Sequence, residues 1–321
     1  RMINSVRNTV MAVANKNNYG YISPQDFNLY CLQAQMDIFE DYFYQYNNWI
    51  NRENARTSGT GYADVIKNLE EVIDTFSATA YLAQPTANVN SQYNLPADYY
   101  LINKLFYYPT LKVSGTTTGV NGYELIDATQ TFTTSVAVGD IITNTTDNTS
   151  AYITAITNNT TLVISENIMA NAEAYNIYNQ YNITEVERVN QNKIFYLTSS
   201  NLTYPTTQYP AYVLGGASSN ISPGNIGNTV TVYPNTITQG GAIQAQYIRY
   251  PLAPNWTYLD TSGNDPIFNP GAADYQNFEL PSSDEPNLVA KILQYIGIEI
   301  REDMVYKFGA QEELNDTQET S

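Results

Sequence analysis

The sequence predicts an α+β fold, with helices near both ends of the chain and an antiparallel β region between them. Three observations carry this. Apolar residues recur every three or four positions from Ser23 to about Arg56. Short apolar runs alternate with turn formers from Val113 to about Tyr181. A second helix start stands at Ser282-Ser283-Asp284-Glu285-Pro286. Four segments follow: 1–112, an N-terminal helical hairpin or bundle with the start of a sheet; 113–181, an inserted small β-barrel or sandwich; 182–277, the sheet region completing the core; and 278–321, C-terminal helices and an acidic tail.

The first helix is expected over 3–17, with Ile3, Val6, Val10 and Val13 on one face and Asn15 to Gly20 as its stop. The second, over 24–56, organises the rest. Ser23 can cap a free N–H, Pro24 suits the first helical position, and Asp26 favours the positive end. Leu29, Leu32, Met36, Phe39, Phe43, Tyr46 and Ile50 then follow heptad spacing, and Phe27, Cys31, Ala34, Ile38, Tyr42 and Trp49 form a second stripe. Such a helix is roughly 50 Å long. It reads as a strut between subunits or, equally, as a central helix inside one monomer.

After the Thr57 to Gly61 breaker, Val65, Ile66, Leu69 and Val72 stand at helical spacing. The texture changes around Leu95 to Asn103, and extended structure is expected over the following Lys104 to Tyr108. In the insert the strand candidates include Leu125-Ile126, Val136-Ala137-Val138, Ile141-Ile142, Ala151 to Ile153, Leu162 to Ile164 and Ala174 to Ile177. The strand-rich chain continues through Ile183 to Val189 and Lys193 to Leu197, then Ala211 to Val213, Thr229 to Tyr233 and Ala242 to Tyr250. A loop follows to Asn277. Its Asp260 to Asp265 run has the wrong spacing for a calcium loop and lacks the closing acid. The helix from Ser282 is expected to stop at Gly297, and another to begin near Arg301.

The chain has 321 residues, no histidine, one cysteine and a formal charge of −17. Without histidine the usual general base and zinc ligand are missing, and with them every Ser-His or Cys-His arrangement. Cys31, on an apolar stripe, reads as a buried thiol and excludes an intrachain disulfide. The charge disfavours indiscriminate attraction to nucleic acid or anionic lipid. No apolar run approaches a membrane span, and no signal-peptide core opens the sequence. No lysine or arginine lies between Lys112 and Arg188, and no charge at all between Lys193 and Arg249. The latter stretch fits a surface covered by other subunits.

Several blocks resemble structural proteins of tailed bacteriophages, particularly the crAss-like podoviruses of gut Bacteroidales. They are residues 15–30, Leu95 to Tyr100, Ala245 to Trp256, and Phe278 to Pro286 with Ile292 to Gly297. The insert, through Phe132, Val136, Val138 to Asp140 and Tyr152 to Ala155, is similar to a small β module of phage virion proteins. The resemblance implies a head-to-tail connector or tail-ring protein, made in the host cytoplasm and built into the virion. Such proteins form homo-oligomeric rings, commonly twelvefold, that stack with the portal and other ring proteins and pass DNA through the lumen without sequence-specific binding. No catalytic motif, cofactor or metal site comes with it.

The expected oligomer interface is therefore the seam Leu29, Leu32, Met36, Phe39, Phe43, Tyr46 and Ile50. An alternative is a tail-associated or cell-surface carbohydrate-binding protein, since the 29 tyrosines suit sugar faces as well as protein interfaces. An enzyme would need paired carboxylates such as Glu70-Glu71 or Asp284-Glu285. Adjacent helical residues point apart, and both pairs read as capping or solvated charges.

Overall fold

The computed structural model describes residues 1–14, 22–54, 63–84, 91–215, 228–260 and 266–299. Over these the fold is mixed α+β. Contacts divide the chain into two compact units, Arg1–Phe76 with Tyr250–Ser321, and Ser77–Arg249. This division cuts across the four sequence segments, because strand pairing gathers everything from Ser77 to Arg249 while the chain beyond returns to the helices.

Among the described residues the helices are α1 (Met2–Ala14), α2 (Pro24–Asn54), α3 (Ala63–Asp74), the single turn α4 (Phe132–Ser135), α5 (Gln191–Thr198) and α6 (Glu285–Glu299). The strands begin with β1 (Ser77–Tyr81), β2 (Gln92–Asn94), β3 (Tyr99–Tyr107), β4 (Leu111–Thr116), β5 (Gly119–Asn121) and β6 (Glu124–Ile126). They continue with β7 (Ile141–Asn144), β8 (Thr149–Asn158), β9 (Thr161–Ile164), β10 (Ala174–Tyr178) and β11 (Thr184–Arg188). The last are β12 (Ala211–Leu214), β13 (Thr229–Tyr233), β14 (Ile243–Arg249), β15 (Tyr258–Asp260) and β16 (Pro266–Phe268).

In the helical unit α2 packs on α3 and α6, and α6 on α1. The expected helix start is present: the Asp26 N–H donates to Ser23 Oγ at 3.1 Å, satisfying one of the orphan donors of the first turn. Burial selects the second stripe of α2, where Phe27, Cys31, Ala34, Ile38 and Tyr42 are inside. On α6, Leu288, Ile292, Leu293 and Ile296 are buried. That apolar face carries the helix through Gly297 to Glu299, so the expected stop there is not used; an interior glycine costs only about 1 kcal/mol. The expected stop at 15–20 and the helix and tail after 300 lie outside the described residues.

The second unit holds two sheets, each of seven strands. The first runs β1-β14-β3-β11-β12-β13-β2, antiparallel except for the β11/β12 pair. Its inner face buries Tyr93, Leu105, Val186, Val230, Val232 and Ala245. A register shift between Gln246 and Tyr247 breaks the expected alternation, which is why Tyr247 and Ile248 are both buried. The second sheet runs β4-β10-β7-β8-β9-β6-β5 around Leu125, Phe132, Ile142, Ile153, Leu162 and Tyr175.

In both sheets the two outermost strands are consecutive in the chain. Just beyond β1, Ala83 bridges to Asn94 of β2, and only Thr117 and Thr118 separate β4 from β5. Each sheet therefore curls back toward its own beginning, which leaves little open edge. Between the sheets, Tyr81, Tyr108, Ile141, Tyr178 and Ala242 form a shared cluster. There Gly241, at φ +76°, comes so near Thr143 that a Cβ would stand 2.4 Å from its Oγ1, so only glycine fits.

Two expectations in this unit need correction. Val136-Ala137-Val138 is not a strand: α4 ends at Ser135, and the buried Asp140 carboxylate takes the Ala137 N–H at 2.7 Å, closing a turn in its place. Lys193 to Leu197 belongs to the helix α5, which crosses from β11 to its parallel neighbour β12. Parallel neighbours need such a crossover, and the strand-rich look of Ile194-Phe195-Tyr196 yields to it.

Candidate functional site

The expected seam divides along α2. Leu29 is 62% exposed, Leu32 and Met36 are half-buried, and Phe39 is completely buried. The Phe39 ring meets Phe43 at 5.2 Å, Phe76 at 5.1 Å and Tyr250 at 6.1 Å between centroids. It is thus a core residue of its own unit and cannot meet a neighbouring copy as expected. Phe43, Tyr46 and Ile50 are half-buried, and the Tyr46 hydroxyl donates to Glu70 on α3 at 2.9 Å. The C-terminal half of the seam therefore lies beside α3, and the N-terminal half, around Leu29, stays open.

One residue away runs a line that hydrophobic spacing does not reveal. Asn28, Gln35 and Tyr42 stand seven residues apart, and each bonds to the segment that returns after Tyr250. Asn28 Nδ2 donates to Asn255 Oδ1 at 2.7 Å, and its Oδ1 accepts the Trp256 N–H at 2.8 Å. Gln35, wholly buried, donates to the Leu252 carbonyl at 2.8 Å and accepts the Glu279 N–H at 3.1 Å. The Tyr42 hydroxyl donates to Asp284. On a flanking position, Asp37 takes the Tyr295 hydroxyl, and that ring stacks on Tyr30 at 6.2 Å.

These bonds set the local electrostatics. Burial, then the bond to Asp284, pushes the Tyr42 hydroxyl far above its ordinary range. Burial also raises the Asp284 carboxyl, against the opposing bonds from Tyr42 and Asn287. The bond to Glu70 is the main cause holding the Tyr46 hydroxyl up. Cys31 is a free, buried thiol, raised by burial. One member of each carboxylate pair considered above, Glu70 and Asp284, thus receives a tyrosine from α2.

Trp256 completes the arrangement. It is buried, stacks on Tyr258 and Phe268, and donates its indole N–H to Asn4 on α1 at 3.1 Å. The Arg7 guanidinium lies 3.9 Å from the ring centroid. What this surface can do chemically is bury apolar area against another body around Leu29, Leu32 and Met36. The polar line behind it fixes the rotation of α2 that presents them.

Polar residues hid that line, since Asn28 and Gln35 interrupt any apolar count. The signal available was the repeat of amide, amide and hydroxyl at a seven-residue interval. No protein-family model matches the chain, and no curated protein sequence matches it.

Proposed function

We propose that this chain is a structural virion protein that forms a ring in the neck or tail of a tailed phage, near the portal, with DNA passing through the lumen. The observation that carries the reading is the open N-terminal half of the α2 seam, where Leu29 is 62% exposed beside the half-buried Leu32 and Met36. A helix of 31 residues, roughly 46 Å long, offers that stripe on a rigid rod. The formal charge of −17 suits a channel along which DNA slides without adhering. On this reading α1 and α2, each packed on α6, belong to the helical bundle of the protomer, and the second sheet is the small β-barrel insert.

Phe39 is buried, so its replacement would confound folding with assembly. Leu29→Asp is the informative variant, because an exposed site tolerates it with little change in stability. Native mass measurement should give closed oligomers for the wild type and single chains for the variant. Rings that survive Leu29→Asp would remove α2 from the interface. A wild type that stays a single chain at high concentration, and is missing from intact virions, would end the reading.

A second reading, carbohydrate binding, draws on exposed tyrosines such as Tyr44 and Tyr181, 66% and 67% exposed. Specific binding of the single chain to a glycan array would favour it.

A further inference from the structure

We infer that the excursion between β11 and β12 docks, head to tail, on the carboxylate-bearing second sheet of another copy of this chain. The inference rests on the proposed assembly only in requiring that copies associate; the surface is a different one from the α2 stripe.

From Asn190 to Pro210 the chain leaves the first sheet, forms α5 and returns. Ile194 is buried with Val189, Ala211 and Val213, and Leu197 packs against them. The remainder projects outward yet is internally tied. The Thr203 hydroxyl donates to the Leu197 carbonyl at 3.0 Å, and Thr206 and Tyr209 exchange backbone bonds at 3.3 and 3.1 Å. Among the described residues, the four most exposed large apolar side chains all lie here: Leu202 at 94%, Tyr209 at 80%, Tyr196 at 78% and Phe195 at 68%. Together they present on the order of 500 Å². That is more than half of what one partner buries in a stable interface, about 800 Å².

Charge identifies the occupant. The chain carries 31 acidic residues, yet none falls between Glu187 and Asp260, where Arg188, Lys193 and Arg249 are the only charges. On a protein of −17, the excursion is the place where another copy meets least repulsion. The second sheet is its complement. Its one lysine, Lys112 at the start of β4, is taken by the buried Asp140, and no cation follows before Arg188; its surface carries Glu124, Asp147, Glu166 and Glu173, and on the same sheet unit Tyr123, Val138 and Tyr152 are each more than half exposed. Glu173 pushes the Asp147 carboxyl up, as expected where carboxylates lack a cation.

Tip and target are different surfaces of one unit, so the contact is heterologous and propagates from copy to copy. Strand addition is not the mode, because both sheets curl onto their own edges. Side chains must make the contact.

The test compares the full-length chain with Leu202→Asp and Tyr209→Ser by sedimentation over a range of concentrations. Both positions are exposed, so circular dichroism should be unchanged. Association should weaken roughly tenfold or more with each. Chains carrying Leu202→Cys, mixed with chains carrying Val138→Cys or Tyr152→Cys and oxidised, should cross-link in at least one of the two mixtures, since the native Cys31 is buried.

Absence of both cross-links, or unchanged association of both tip variants, overturns the inference. Self-association that survives the tip variants but fails with Leu29→Asp overturns it while leaving the α2 reading intact; the reverse pattern upholds it and removes α2. A wild type that remains monomeric yet floats with phosphatidylcholine vesicles, and ceases to with Leu202→Asp, assigns the tip to lipid instead.

Discussion

Each unit sets an aspartate beside a tyrosine, Asp127 wholly buried and Asp284 half-buried, and the two carboxyls respond in opposite directions. In the sheet unit, burial raises Asp127, but bonds from Thr129, Tyr175 and Gln130 outweigh it and leave the group below its ordinary value. Its Oδ1 takes the Thr129 N–H at 2.9 Å and hydroxyl at 2.6 Å, and its Oδ2 takes the Tyr175 hydroxyl at 2.7 Å. In the helical unit, Asp284 receives the Tyr42 hydroxyl and only a long contact from Asn287 at 3.5 Å, so burial prevails and the group is raised. The lesson is that the number of donors, not the presence of a tyrosine, decides whether a buried carboxylate favours folding.

The strongest way to break the contrast is to remove a cation from the sheet unit, where one buried carboxylate depends on one. Lys112 Nζ reaches the buried Asp140 at 2.7 Å. Lys112→Met should cost about 3 kcal/mol in chemical denaturation, because Asp140 would keep its burial and lose its counter-ion. A loss under about 1 kcal/mol would mean that water reaches Asp140.

In the helical unit the counterpart is uncharged. Gln35→Leu should cost about 2–3 kcal/mol, since the Leu252 carbonyl and the Glu279 N–H both lose a buried partner. A neutral result would separate α2 from the returning segment.

The pH dependence sharpens the comparison. For Asp127, with a lowered folded value, the stabilising contribution is present above the unfolded value near 3.8 and is lost as pH falls through the folded one. For Asp284, with a raised folded value, the contribution is full below 3.8 and is lost as pH rises through the folded one. Melting curves from pH 6 down to 3 should therefore show Asp127→Asn losing less stability on acidification than the wild type, and Asp284→Asn losing more. Identical slopes for the two variants would contradict the assignment.

The smallest effect is expected at Tyr46→Phe. The Glu70 bond it removes lies at the surface, and the change should stay within about 0.5 kcal/mol.

Much of the architecture was legible in the sequence, for identifiable reasons. The Ser23-Pro24-Asp26 start and the returning apolar positions gave α2 almost to its ends. Turn residues such as Gly139 and Asn148, both at positive φ, marked where the second sheet reverses. Strands β1 and β2 were not legible, because Ser77-Ala78-Thr79-Ala80 has neither strong alternation nor strong propensity and is held by pairing with β14. The expected interface stripe was only partly legible as an exposed face. Heptad counting found Leu29, but it could not know that Phe76, at the end of the α3 region, would claim Phe39.

The bonds from α2 to the returning segment also govern the order in which the protein can be finished on the ribosome. Gln35 must wait for Glu279, 244 positions later. At about 5–20 residues per second this is roughly 10–50 s of synthesis. During that interval the whole of Ser77–Arg249 emerges and can close its sheets, while the greasy side of α2 has only its early neighbours for cover. A nascent chain arrested before residue 250 should therefore hold a finished sheet unit beside an unfinished helical one, and would be the form most in need of a chaperone.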